Sequence, residues 1–131
     1  MGDVNLLAVL VAALSSFVLG GLWYSNALFG NAWRREAGDQ RKPGEGHPAR
    51  VFGLSFGFAL VAALAYARLV PPAADPVAAL VQGLVVGAGI VGASFGINYQ
   101  FANRSTLMWL IDGGYHIAQF VLFGLVLGLW H

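Results

Sequence analysis

The stretch MWLIDGGYHIAQFVLFGLVLGLW, residues 108 to 130, is long and apolar enough to cross a bilayer, yet it contains an acid, a histidine and an amide. Asp112, His116 and Gln119 lie at positions i, i+4 and i+7, so a helix of 3.6 residues per turn places all three on one face. An ionisable side chain at membrane depth costs about 2.5 kcal/mol or more. This face must therefore contact protein or water, and other helices are needed to cover it.

The composition of the whole chain is typical of a membrane protein. Of its 131 residues, 58% are hydrophobic and 10% are charged, and the mean hydropathy of +0.70 lies outside the range of soluble domains. The net charge of +1 is too small to indicate nucleic-acid binding, so no nucleic-acid partner is expected. The chain has no cysteine, which excludes disulfides, thiolate metal sites and thiol nucleophiles.

Four apolar stretches are long enough to cross about 30 Å of hydrocarbon as helices. They lack the period-two alternation of barrel strands, and lipid offers no hydrogen-bond partner to a free backbone, so each stretch must be helical. The sequence thus predicts an all-α polytopic membrane protein. Its single transmembrane domain covers residues 1–131 and has a polar cytoplasmic loop at about 30–50. The four predicted helices are residues 5–26, 51–70, 76–99 and 107–130.

The basic residues predict the orientation of these helices. Six of the seven fall in the first and third connections, and only Arg68 lies on the opposite side. Cytoplasmic loops carry an excess of Lys and Arg, so we expect these two connections in the cytoplasm and both termini outside it, in a bacterial inner membrane. The six residues are Arg34, Arg35, Arg41, Lys42, Arg50 and Arg104.

With that orientation, the polar residues of the helices collect in the cytoplasmic half of the bundle. They lie at the ends of the first and third helices and in the first turns of the fourth. Because such groups must face protein or water, they predict a polar cavity open toward the cytoplasm. The predicted lining residues are Asp112, His116, Gln119, Tyr115, Tyr24, Ser25, Asn98 and Tyr99.

Asp112 and His116 are spaced so that their side chains can hydrogen-bond across one helical turn. Such a pair can carry a proton, couple to a substrate or small ion, or supply two ligands of a metal, although one histidine and one carboxylate are half a metal site. The structural alternative is a buried carboxylate that locks the bundle by accepting hydrogen bonds from neighbouring helices. The candidate donors are Trp23, Tyr24, Asn98 and Tyr99.

No motif in the sequence indicates catalysis. The chain has no nucleophile motif, no phosphate-binding loop and no zinc signature. We therefore expect no enzyme activity, no cofactor and no dedicated metal site, with the lipid bilayer as the main partner.

Glycines spaced four residues apart predict where helices approach closely. The third predicted helix is the richest in glycine, so we expect it to be the most buried, and we expect the chain to form a homo-oligomer. The predicted packing residues are Gly83, Gly87, Gly92, Gly96, Gly53, Gly57, Gly124 and Gly128. Aromatic side chains near the span ends predict a membrane interface at Trp23, Trp33, Trp109 and Trp130.

Two motifs resemble those of a known family. One is LWYS-x-x-LFG-x-x-W at the exit of the first helix, and the other is ID-x-GY at the start of the last. With the four apolar stretches, they resemble the small bacterial four-helix membrane proteins of the domain of unknown function 1761, over nearly the whole chain. The resemblance implies the fold and the importance of both motifs, and implies nothing about a substrate. The matching residues are Leu22, Trp23, Tyr24, Ser25, Leu28, Phe29, Gly30, Trp33, Ile111, Asp112, Gly114 and Tyr115.

Two functions from different classes are compatible with these features. The first is a small transporter or channel-like protein whose cytoplasm-facing cavity binds a small ion or a proton. The second is a scaffold or accessory subunit that transports nothing and binds a partner protein through its glycine-rich helix. The sequence identifies neither the substrate nor the partner.

Overall fold

The computed structural model describes residues 4–38 and 46–130, and this part of the chain is helical and contains no strand. The helices are α1 (Leu6–Trp23), α2 (Gly30–Ala37), α3 (Pro48–Leu69), α4 (Pro76–Leu84), α5 (Ala93–Phe101) and α6 (Thr106–Leu129). A π-helical segment, Val85–Gly92, joins α4 to α5, and we call the continuous helix Pro76–Phe101 the third span. Four helices, namely α1, α3, the third span and α6, are long and apolar enough to cross a membrane. The predicted all-α fold is therefore confirmed, and the chain is a multi-pass membrane protein.

Local capping chemistry sets the starts of these four helices. The side chains of Asn5, Asp75 and Ser105 each accept the backbone N–H three residues further on, at 3.1, 2.8 and 3.0 Å. Pro48 and Pro76 occupy the first turns of their helices, where a missing N–H breaks no hydrogen bond. The observed boundaries therefore lie within a few residues of the predicted ones.

The predicted polar loop at 30–50 contains a helix in its first half. α2 begins at Gly30 and ends at Ala37, and it packs against α6. Gly38 follows in a left-handed conformation with φ of 84°, which favours glycine after a helix. Residues 39–45 of the loop lie outside the described residues.

α6 is the central helix of the bundle. It packs against α1, the third span, α2 and α3, and 39% of its span is buried, against 22% for the third span. The prediction that the third helix is the most buried is therefore wrong. Three of its glycines, Gly83, Gly87 and Gly96, face α6, whereas α6 is covered on several sides because it carries both a glycine face and a polar face.

Glycines bring α6 and the third span into backbone contact. A Cβ atom at Gly83 would lie 2.5 Å from the backbone oxygen of Phe120, and one at Gly124 would lie 2.5 Å from that of Ala79. At Gly87 the α6 backbone is 2.9 Å away. Since none of these neighbours is a flexible side chain, only glycine permits this approach of the two helices.

The five remaining predicted packing glycines differ in what surrounds them. Gly96 and Gly128 each face a side chain. A Cβ atom added at Gly96 would lie 3.3 Å from the Trp109 indole, and one added at Gly128 would lie 3.2 Å from the Ala73 Cβ atom. A Cβ atom added at Gly53 or Gly57 would meet nothing within 4 Å among residues 4–38 and 46–130, so these glycines make no close helix contact within that part of the chain, contrary to the prediction. α3 packs on α1 through other small residues of its opposite face, including the buried Ala59 and Ala63. At Gly92, the fifth of these glycines, an added Cβ atom would lie 3.1 Å from the Gly87 backbone oxygen of its own π-helical segment.

Candidate functional site

A cavity of about 780 Å³ lies between α1, α3, the third span and α6. It exists because α3 packs on α1, the third span packs on α6, and within the described residues α3 and the third span form no packed pair. Most of its walls are aromatic or small apolar side chains. Its polar lining groups lie mainly on α6 and include Asp112, His116, Gln119 and Ser55.

The two motifs found in the sequence contact each other beside this cavity. The Trp23 Nε1–H donates to the backbone oxygen of Ile111 at 2.8 Å, and its ring covers Gly114, where an added Cβ would lie 3.1 Å from Trp23 Cζ2. The next residue, Tyr24, donates its hydroxyl hydrogen to Asp112 Oδ1 at 2.6 Å. The exit of α1 is thus docked onto the start of α6.

A tight turn after α1 holds Tyr24 in this position. The Phe29 N–H donates to the Trp23 oxygen at 3.0 Å, and the Gly30 N–H donates to the Ser25 oxygen at 2.9 Å. A Cβ atom at Gly30 would collide with the Tyr24 backbone oxygen. The glycine of the first motif is therefore required because the backbone at Gly30 approaches the backbone of Tyr24 closely.

Asp112 is 9% exposed and is held by two phenols from two different helices. Tyr24 donates to Oδ1 from the end of α1, and Tyr99 donates to Oδ2 from α5. No Lys, Arg or His in the described residues forms an ion pair with it. A carboxylate has about four lone-pair sites, so the two phenols leave acceptor capacity on the side that lines the cavity.

His116 bonds to Gln119 and not to Asp112. Its Nδ1 lies 2.8 Å from Gln119 Oε1, and Gln119 Nε2 donates to Ser16 Oγ at 3.3 Å. With the amide oriented in this way, the imidazole carries its hydrogen on Nδ1 and leaves Nε2 as the second ring nitrogen. The Asp112–His116 hydrogen bond that the spacing allows does not form. Two of the candidate donors, Tyr24 and Tyr99, bind the carboxylate, and Gln119 binds the imidazole.

Ser16 is the site residue that sequence reasoning missed. It is fully buried in α1, its Oγ accepts from Gln119, and its backbone oxygen accepts the Tyr115 hydroxyl at 2.9 Å. It therefore ties the polar face of α6 to α1 on the far side of the cavity. The available signal was a small hydroxyl residue within an alanine-rich stretch, with Ala12 and Ala13 nearby.

The structure brings together five of the eight predicted lining residues and leaves three aside. Tyr99 lies behind Asp112 as its hydrogen-bond donor, and the Ser25 hydroxyl donates to a backbone oxygen of α1 at 2.7 Å. Asn98 is exposed, because neighbours on a helix point about 100° apart and Tyr99 points inward. The prediction for Asn98 is therefore wrong. The five lining residues are Tyr24, Asp112, Tyr115, His116 and Gln119.

Two of the four predicted interface tryptophans fasten helices together. Trp23 bonds to α6 as described, and the Trp109 Nε1–H donates at 2.9 Å to the backbone oxygen of Gly92, at the end of the π-helical segment. Trp33 lines the cavity, and Trp130 is 41% exposed at the end of α6. A position at the membrane interface stays a prediction for all four.

The residues in ranges 4–38 and 46–130 contain no group of three His, Asp or Glu side chains arranged to hold a metal ion. Asp112 and His116 are the ionisable residues that line the cavity apart from the phenols. The arrangement can accept hydrogen bonds and attract positive charge.

A family model with the description "Protein of unknown function (DUF1761)" matches residues 7–128. The matched range includes both motifs and every residue that lines the cavity. Neither the curated proteins nor the solved structures give a significant match to the chain.

Proposed function

The chain belongs to the family described as Protein of unknown function (DUF1761), and from that premise we propose that it is a small membrane transporter whose substrate binds in the cavity beside α6. The observation that carries the proposal is the cavity itself. Its volume of about 780 Å³ lies within the range of small-molecule sites, which are mostly apolar with a few placed polar groups.

The position of the ionisable residues supports the same proposal. Asp112 and His116 lie in an apolar helix long enough to span the membrane, where such groups are costly and mark substrate or ion pathways. Both border the cavity. The proposal assigns binding and passage to this site and no chemical reaction.

We propose that the cavity opens toward the cytoplasm. Trp33 of α2 and Val51 near the start of α3 line it, so it reaches the side where the first connection leaves and re-enters the bundle. That connection carries five of the seven basic residues, an excess that favours the cytoplasmic side. Both termini then lie outside the cytoplasm, in a bacterial inner membrane, and we include a homo-oligomer as the proposed assembly.

Single cysteines in this cysteine-free chain test the orientation. A cysteine at Gly44, which lies outside the described residues, should resist an impermeant maleimide in intact cells and react after permeabilisation. A cysteine appended after His131 should react in intact cells. Equal labelling of both sites in intact cells would contradict a single orientation.

Flux into proteoliposomes tests transport, with Asp112→Asn compared against a matched variant. Asp75→Asn makes the same change of acid to amide at the N-cap of α4, outside the cavity, and asparagine is an equally good cap. We expect solute flux, measured over a panel of ions and dyes, to be lost in Asp112→Asn and kept in Asp75→Asn. Equal flux in wild type and Asp112→Asn would remove the carboxylate from the mechanism.

A second function, a scaffold without transport, is favoured by one observation. The carboxylate of Asp112 joins α1, α5 and α6 through its two phenols, which is what a structural lock requires. In that case Asp112→Asn lowers the thermal stability of the protein in detergent, no solute crosses the membrane in wild type, and a partner protein co-purifies. Flux in wild type would contradict it.

A further inference from the structure

We propose that the cavity takes an organic cation with an aromatic or otherwise apolar body, and that this ligand enters from the lipid through the gap between α3 and the third span. This substrate class rests on the proposed function, because the same cavity is the site. Four features of the described residues support it, which are the charge of the lining, its aromatic walls, its few oxygen ligands and its open flank.

The charge of the lining selects a cation. Asp112 is the one acidic residue that borders the cavity, and no Lys or Arg among the described residues lines it. The hydrogen-bond partners of its carboxylate are neutral phenols, so the negative charge has no opposite charge beside it. A buried charge is stable only when it is paired or neutralised, and a bound cation supplies the missing charge without displacing either tyrosine.

The aromatic walls select an organic cation. Phe17 packs edge-on against Phe52 at 6.1 Å, and Phe95 packs edge-on against His116 at 4.7 Å, and all four residues border the cavity. Aromatic faces attract cations that lie within about 6 Å, more strongly when water is excluded. They also bury the apolar body that an organic cation carries.

The small number of oxygen ligands argues against an inorganic divalent cation. Calcium and magnesium require about six or more oxygen ligands, whereas the described lining offers one carboxylate, one amide and few hydroxyl groups. In an organic cation the charged atom is covalently bonded to carbon groups, so the ion needs no set of oxygen ligands and requires a single counter-charge. The lining therefore fits a cation that is large and apolar.

The open flank gives such a ligand its path. Phe52 and Phe58 line the cavity, yet they are 55% and 72% exposed, so the cavity opens along the outer edge of α3. α3 is one of the four helices that span the membrane, which places that edge against hydrocarbon. An apolar cation partitioned into the bilayer can reach Asp112 by this route.

Two probes of the same shape and opposite charge test the inference, namely tetraphenylphosphonium and tetraphenylborate. Binding to the full chain in lipid nanodiscs is measured by equilibrium dialysis for wild type, Asp112→Asn and Asp75→Asn. We expect saturable binding of the phosphonium to wild type and Asp75→Asn, weakened by about tenfold or more in Asp112→Asn, and no saturable binding of the borate. Equal binding of both probes, or no binding of the phosphonium to wild type, would overturn the inference.

A second variant covers the case in which Asp112→Asn does not fold. Gly21 lines the cavity and an added Cβ there meets nothing within 4 Å, so Gly21→Leu fills the space and keeps the carboxylate. It should weaken phosphonium binding to a similar degree, and undiminished binding would contradict the assigned cavity. Phosphonium binding without flux in proteoliposomes would overturn the proposed transport and leave the cation site standing. Flux of a neutral or anionic solute with no phosphonium binding would overturn the cation site and leave the proposed transport standing.

Discussion

The two faces of α6 meet their neighbours in opposite ways. Toward the third span the helices touch backbone to backbone, with glycines at Gly83, Gly87 and Gly124. Toward α3 the same helix borders an open cavity, with α1 packed along its neighbouring side. The same helix therefore makes backbone contact with the third span on one face and borders the cavity on another.

The difference shows what each kind of residue contributes. Glycine permits backbones to approach until no space is left, because nothing projects from the helix. On the cavity side, α6 is tied to α1 by the side-chain hydrogen bonds from Tyr24 to Asp112 and from Gln119 to Ser16, and these bonds fix the two helices at a distance. A bundle fastened by long side chains on one side and by glycine on the other has room on the first side.

The largest expected effect is at the glycine face. In Gly83→Leu the Cβ atom alone would lie 2.5 Å from the Phe120 backbone oxygen, so the helices must separate, and we expect a loss of about 3 kcal/mol in the free energy of unfolding. Reversible unfolding in mixed detergent micelles measures it. The control is Gly57→Leu, where the added Cβ has nothing within 4 Å, and it should unfold like wild type. Equal destabilisation by both variants would show that the helix face at Gly83 is packed no more closely than the face at Gly57.

A smaller effect is expected where phenols hold the polar face. Tyr24→Phe removes the donor to Asp112 Oδ1 and keeps the ring, so we expect a loss of about 2 kcal/mol, the range for a bond to a charged acceptor. Tyr115→Phe removes a bond to the neutral backbone oxygen of Ser16 and should cost about 1 kcal/mol. The same unfolding assay compares the two variants. Tyr24→Phe costing no more than Tyr115→Phe would show that the Tyr24–Asp112 bond is no stronger than the bond to the Ser16 backbone oxygen.

A double-mutant cycle sharpens that result. Tyr24→Phe combined with Asp112→Asn should cost less than the sum of the two single variants, because both remove the same interaction. Additive losses would show that Tyr24 and Asp112 act independently, against the 2.6 Å bond between them.

The smallest effect on stability is expected at the open face. Gly21→Leu projects into the cavity without a clash, so its free energy of unfolding should stay within about 1 kcal/mol of wild type. Gly20→Leu is the contrasting neighbour, since its Cβ would lie 3.3 Å from the Tyr115 hydroxyl, and it should unfold more easily. Both are read in the unfolding assay, and a Gly21→Leu variant less stable than Gly20→Leu would show that the space beside Gly21 is filled.

The fold could be predicted from the sequence because bilayer thickness and the backbone's need for hydrogen bonds leave few alternatives for long apolar stretches. The polar face of α6 could be predicted for a similar reason, since spacing determines which side chains share a face of one helix. The sequence offered Trp23 and Tyr24 of the first motif as candidate donors to Asp112 of the second. The observed contact, in which Tyr24 binds Asp112 and Trp23 binds the Ile111 backbone oxygen, became visible only in the fold.

The sequence by itself therefore determined the helices, their approximate limits and the residues on the polar face of α6. Only the tertiary structure decided which donors reach Asp112, why His116 turns to Gln119, and why Gly53 and Gly57 contact nothing. Those outcomes depend on how each helix is rotated about its axis against its neighbours. Rotation is set by packing over the whole interface, and glycine spacing alone does not reveal which of several glycine faces finds a partner.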